Sequence, residues 1–234
     1  MMLLRELLET HDAVAILSEK MATRPAQVNL RAQLESYLQL SFIFMNDTHE
    51  RAKAYHVDSV LKKIELYKYM ASINELSRTQ SDVLINNLET MLSNAEYIKI
   101  RDLIRNMRAK HNQQYAPWYK AYDANAKNLK ELANIINRDD TYKLYGPLSK
   151  YAHGFMAMEG VQIDSDKTPA IRPLRLPLNY VDILNISGIL SADSIRRVYS
   201  YYCTNWQNSF GLWYNFWSSE VEKFDHDFSA IKFL

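Results

Sequence analysis

Residues 28–45 read VNLRAQLESYLQLSFIFM. From Leu34 onward the run is apolar around most of its helical circumference, which is the pattern of a helix surrounded by others. It is read as the central helix of a bundle, over 27–45. Before it, residues 3–22 place Leu4, Leu7, Leu8, Ala15, Ile16 and Met21 largely on one side, and Arg24-Pro25 ends the pattern. After it, Asp47 and Glu50 have the spacing of a capping box and open a helix over 48–76. Thr79 caps a long polar helix over 80–112, Pro117 suits the first turn of a helix over 117–137, and Asp139-Asp140-Thr141 cap a segment over 141–156. All five glycines lie at or after Gly146, so the usual breakers are scarce in the first 140 residues and long helices are expected.

The texture changes at 160–178, where Pro169, Pro173 and Pro177 forbid a regular helix and imply an extended strap. Helix resumes over 180–220, with an interruption expected at Ser187-Gly188 and Ser191. The fold class is therefore all-α, a single domain over 1–234 of about seven helices with its core in 26–160.

The 28 Lys and Arg against 27 Asp and Glu leave a net charge of +1, so no global basic field points to nucleic acid and any such site must be local. A lone cysteine, Cys203, excludes an internal disulfide framework and fits a reducing compartment. The opening MMLLRELLETHD is cut by Arg5, Glu6 and Glu9, as in an amphipathic helix rather than a signal peptide. With no long apolar run, a cytoplasmic protein without a membrane contact is expected.

Four constellations carry polar chemistry or a contact face. Arg31 and Glu35 sit one turn apart in the central helix, as an ion pair at its end or as a charged pair facing a pocket. In YKLYGPLSKYAHG, 142–154, Gly146-Pro147 can begin a new turn, which puts Ser149 and His153 one turn apart with Tyr145 on the neighbouring turn. Without an acidic orienter the serine and histidine do not make a hydrolase dyad, and a hydrogen-bonded interior histidine is the plain alternative. RNMRAKH, 105–111, sets Arg105 and Asn106 six and five residues before His111 on a charged helix that also reads as a solvated basic face. Finally Tyr199, Tyr202, Trp206, Phe210, Trp213 and Trp217 recur at threes and fours, as a core stripe or as a face for a second copy or a partner protein. His49 and His56 lack companion ligands, and no glycine-rich phosphate loop exists, so no metal and no cofactor are expected.

LRAQLESYLQL at 30–40, NDTHERAKAY at 46–55, PWYKAYDANAKNLKELA at 117–133 and YKLYGPLSKYAHG together resemble an uncharacterised bacterial family of unknown function. That family is marked by Arg-x3-Glu on an early helix, an arginine after the next cap and a late Ser-x3-His-Gly. The matching residues are Arg31, Glu35, Arg51, Tyr145, Ser149 and His153, within 26–160. The family looks related to HEPN helical domains, whose own signature often reads Leu-Arg-Asn-x2-Ala-His. Here LSKYAH holds the comparable place without the arginine, leaving Arg31 or Arg51 to supply that charge in space. Arg105, Asn106 and His111 also resemble the HEPN ribonuclease pattern of Arg, a polar residue and a later His. The resemblance implies a metal-independent ribonuclease or nucleotide-processing effector, of the kind found in toxin and phage-defence systems. His153, Ser149, Tyr145 and Glu35 would be catalytic, and Arg31 and Arg51 would bind phosphate. The alternative is a non-catalytic helical module that dimerises or docks a partner, in which the same cluster fixes helix packing.

Overall fold

The computed structural model describes residues 1–110, 116–152, 160–163, 167–171, 173–175 and 180–203, and positions 209, 211–213, 215, 216 and 219. Among them the architecture is all-α, as expected, with one small hairpin. The helices are α1 (Met2–Glu19), α2 (Thr23–Met45), α3 (Thr48–Ser72), α4 (Arg78–Leu92), α5 (Ala95–Lys110), α6 (Leu129–Ile135), α7 (Asp139–Lys143), α8 (Tyr145–Ala152) and α9 (Tyr180–Tyr202), with a 3-10 turn at Trp118–Ala121. The chain divides into two compact units, one of Met1–Phe44 with Ile136–Leu234 and one of Met45–Ile135.

In the first unit α2 is buried on nearly every side: Leu30, Leu34, Leu38 and Phe42 join Gln33, Ser36 and Ser41 below the surface. Helix α1, with Leu3, Leu4, Leu7 and Val14 buried, packs against α9, in which Ile183, Leu190 and Val198 are buried. The interruption expected near Ser187-Gly188 does not occur, and α9 runs unbroken through both. The small side chains of Ser187, Gly188, Ser191 and Ala192 are all buried, so what looks like a break is a smooth strip that lets neighbouring helices approach closely. In the second unit α3 is the spine, packed against α4, α5 and the 3-10 turn. Trp118, only 1% exposed, meets Tyr55, Tyr119 and Tyr122 edge-on and fills the centre of that core.

Several boundaries differ from expectation for local reasons. Pro25 does not precede α2 but lies in its first turn, where its missing N–H costs nothing. Asp47 precedes α3 in the left-handed region (φ 46°) and makes no side-chain cap. The capping box stands instead at Ser77: its hydroxyl accepts from the Gln80 N–H and its own N–H donates to Gln80 Oε1, both at 3.3 Å, so α4 starts before Thr79. The polar helix expected over 80–112 is two helices, parted at Ser93-Asn94. The one expected over 117–137 shrinks to the 3-10 turn and α6, and the segment over 141–156 begins earlier and splits at Leu144. Left-handed Met21, Asn74 and Asn137 follow the ends of α1, α3 and α6 and do the stopping that glycine would otherwise do.

Within the strap, Val161–Ile163 (β1) and Pro169–Ile171 (β2) pair antiparallel, with Gln162 opposite Ala170. Pro169 is tolerated at a strand start. Ile163 and Ile171 are exposed, so this is a surface hairpin and not a core sheet. Of the aromatic stripe, Tyr199, Tyr202 and Trp213 are exposed, which removes the core reading for them. Tyr202 nonetheless meets Phe44 edge-on at 6.5 Å. Trp206, Phe210 and Trp217 lie outside the described residues. No helix among the described residues is long and apolar enough to cross a membrane.

Candidate functional site

Arg31 and Glu35 occupy one face of α2 a single turn apart, and Arg31 Nε donates to Glu35 Oε1 at 3.1 Å. Tyr145, the first residue of α8, completes the cluster. Its hydroxyl accepts from Arg31 Nη2 at 2.8 Å and donates to the same Glu35 oxygen at 3.1 Å. The guanidinium carbon lies 5.0 Å from the Tyr145 ring centroid, and Tyr142 stacks on that ring with centroids 5.2 Å apart and planes 13° apart. The sequence places Tyr145 there because Gly146 and Pro147 both fall in the first turn of α8, where proline's fixed φ and missing N–H are no handicap.

Burial raises the Tyr145 pKa above its ordinary value; the Arg31 hydrogen bond opposes that and the Glu35 carboxylate reinforces it. Tyr145 therefore stays protonated and acts as a hydrogen-bond donor, not as a base at neutral pH. For Arg31, burial pulls downward, but the Tyr145 hydroxyl and Glu35 together leave the guanidinium above its usual value. The cluster thus holds a permanent cation, a neutral phenol and a carboxylate at the half-buried junction of α2 and α8.

Ser149 lies half-buried one turn beyond Tyr145 on α8. His153 and His111 lie outside the described residues. Arg51 belongs to the second unit, where it is 8% exposed and sits 6.0 Å over the ring of Tyr122. Burial lowers its pKa. The Tyr122 hydroxyl donates to the Glu50 carbonyl at 2.9 Å, and burial with the nearby Glu50 pushes its pKa up to about 12. Arg105 is exposed and reaches back to both carboxylate oxygens of Glu89 on α4, at 2.8 and 3.0 Å, while Asn106 is exposed. No cluster of His, Cys, Asp and Glu fit to hold a metal ion occurs among the described residues.

The model of a family of unknown function, DUF5677, matches residues 1–169. The chain belongs to the DUF5677 family. No curated protein and no solved structure matches it. The DUF5677 match covers Arg31, Glu35, Tyr145 and Ser149, and it ends before α9.

Two further polar networks join α9 to the DUF5677 portion, and sequence reading missed both. In the first, Gln33 is fully buried on α2: its Nε2 donates to the Ser187 carbonyl and to Ser191 Oγ, each at 2.9 Å, and its Oε1 accepts from Ser187 Oγ at 2.6 Å. Ser187 Oγ also lies 2.8 Å from His11 Nδ1 on α1. Because the one Ser187 proton is given to Gln33, His11 must donate through Nδ1, which fixes its tautomer. Burial lowers the His11 pKa, against a weaker upward pull from Asp12. In the second network Asp193 of α9 accepts from Arg196, Arg197 and the Tyr37 hydroxyl. Arg138, just before α7, donates to Tyr37 at 2.9 Å and comes within 3.6 Å of Asp193. Burial alone would raise the Asp193 pKa, but the arginines and Tyr37 overcome it and hold the value at about 2. Nothing in the sequence marks Gln33, which is one of several polar residues in its stretch with Arg31, Glu35 and Ser36, and its partner lies 154 positions away.

Proposed function

We propose that the protein is a HEPN-like helical effector acting on RNA or a nucleotide, in the manner of toxin and phage-defence effectors. The observation that carries the reading is the Arg31–Tyr145–Glu35 cluster with Tyr142 stacked on Tyr145. A fixed guanidinium is suited to a phosphate oxygen, and an adjoining aromatic pair is suited to a base face. In this reading Arg31 binds phosphate, Tyr145 donates a hydrogen bond to the charge that develops, and Glu35 holds both in place. His153, four residues after Ser149 in sequence, serves as the acid or base, and no metal takes part. Arg51, and the Arg105, Asn106 and His111 set, are the remaining candidates for contacting RNA.

The test is incubation of the purified protein with total RNA and with nucleotides, comparing wild type, His153→Ala and Arg31→Ala. Conversion by wild type, abolished by either substitution in a folded protein, is expected. A wild type that neither binds nor converts any of them sinks the proposal. A second reading, a non-catalytic module that dimerises or docks a partner, draws support from the exposure of Tyr199, Tyr202, Leu212, Trp213 and Phe216. It predicts a concentration-dependent oligomer or a captured partner protein, and unchanged RNA.

A further inference from the structure

We propose that Arg138, Arg196 and Arg197 form a binding site for a phosphate group, separate from the Arg31 cluster. Three guanidiniums converge on the single carboxylate of Asp193, so the cluster carries two more positive charges than its carboxylate neutralises. The hydrogen-bond inventory says the same. Asp193 Oδ1 takes both Nε and Nη2 of Arg196, and Oδ2 takes Nε of Arg197 and the Tyr37 hydroxyl. Each carboxylate oxygen has two lone-pair sites, so the acceptor is full. Arg138 spends its Nε on Tyr37 and is left 3.6 Å from Oδ2.

Nη1 and Nη2 of Arg197, Nη1 of Arg196 and Nη1 of Arg138 have no protein acceptor among the described residues. These donors are held in place rather than free to wander, because the forks are anchored through their inner nitrogens. Anchored, unspent guanidinium donors around a saturated carboxylate are what a phosphate oxygen needs. The nearby acid Asp140 does not fill them: it is 93% exposed and pairs with Lys143 at 2.6 Å. The Arg196 side chain is 53% exposed and that of Arg138 35%, so a ligand reaches the cluster without unfolding anything. A phosphate there has two sources, a free phosphate or nucleotide and a nucleic-acid backbone.

The experiment is calorimetric titration of the full chain at constant ionic strength with inorganic phosphate, a nucleoside monophosphate and a short single-stranded RNA lacking terminal phosphates. Chloride is the control. Wild type is expected to bind at least one of the three, and Arg196→Gln/Arg197→Gln is expected to weaken that binding by about tenfold or more. The arm that binds most tightly names the source. Binding that survives Arg31→Ala but falls with Arg196→Gln/Arg197→Gln belongs to this site, whereas binding lost only with Arg31→Ala belongs to the Arg31 cluster and overturns this proposal, so failure of the Arg31 proposal and failure of this one are distinguishable. If the double variant does not fold, Arg196→Gln alone serves, since Arg197 and Tyr37 still hold Asp193, and a smaller loss in the same direction is expected. Absence of binding to all three by wild type, with phosphate taken up to about 10 mM, or binding unchanged by the arginine substitutions, overturns the proposal.

Discussion

Replacing Gln33 by leucine removes a buried hydrogen-bonding side chain while roughly conserving its volume, so the polar term can be measured with little cavity contribution. Gln33 is 0% exposed and makes three hydrogen bonds, to the Ser187 carbonyl, Ser191 Oγ and Ser187 Oγ. A net loss of about 1 kcal/mol per bond, and about 1 to 3 kcal/mol for any hydroxyl left buried without a partner, puts Gln33→Leu at about 3 kcal/mol. Ser187→Ala strands Gln33 Oε1 and the His11 N–H together and should cost about 2 kcal/mol. Because both substitutions break the same chain of bonds, the double variant should fall short of the sum by about 1 kcal/mol or more. Urea unfolding followed by circular dichroism measures all three. Nitrogen chemical shifts of His11 supply an independent readout: once Gln33 no longer takes the Ser187 proton, that proton is free to turn to the ring, and the fixed Nδ1–H tautomer should be lost. A neutral or stabilising Gln33→Leu, or strictly additive costs, would show that the network does not bear on stability and would refute the reasoning.

Asp193 gives a pH dependence of definite sign. Its pKa is about 2 in the fold against an ordinary 3.8, so its contribution is present above about pH 4 and is lost as pH falls through that interval. After discounting for solvent screening this amounts to about 1 to 2 kcal/mol, and the gap between wild type and Asp193→Asn in urea midpoints should narrow from pH 6 towards pH 2. In the second unit Asp58, almost fully buried, meets Arg108 and Lys62. Asp58→Ala leaves Arg108 facing no carboxylate there and should cost about 3 to 5 kcal/mol, read by thermal unfolding; a loss under 1 kcal/mol contradicts that. Ser77→Ala, which removes the α4 capping box, should cost about 1 kcal/mol and raise amide exchange in the first turn of α4 alone.

The helical class and the central position of α2 were legible because burial on all sides leaves a one-dimensional trace, an apolar run that ignores helical phase. The Arg31 and Glu35 pair was legible for a different reason, being one turn apart on one helix. Tyr145 entered through the family-like stretch around it, not through any spacing to Arg31 114 positions earlier. Elements went astray where two local signals compete. Asp47 has the letters of a cap but adopts a left-handed backbone and makes no side-chain cap for α3, while a true box stands at Ser77, at the start of α4. Ser187-Gly188 has the letters of a break but is a packing strip. The Gln33 and Asp193 networks leave no such trace, since their partners come together only when α9 docks.

That docking bears on where a laboratory would cut the gene. The family match stops at 169, yet α9 begins at Tyr180 and supplies the partners of His11, Gln33 and Tyr37. A fragment trimmed to the matched length would lay bare the apolar face of α1 that packs on α9, along with an unanswered glutamine amide. Its failure to express would reflect the position of the cut. The segment that recurs across relatives and the segment able to fold are different lengths of the same chain, and the longer one reaches at least to Tyr202.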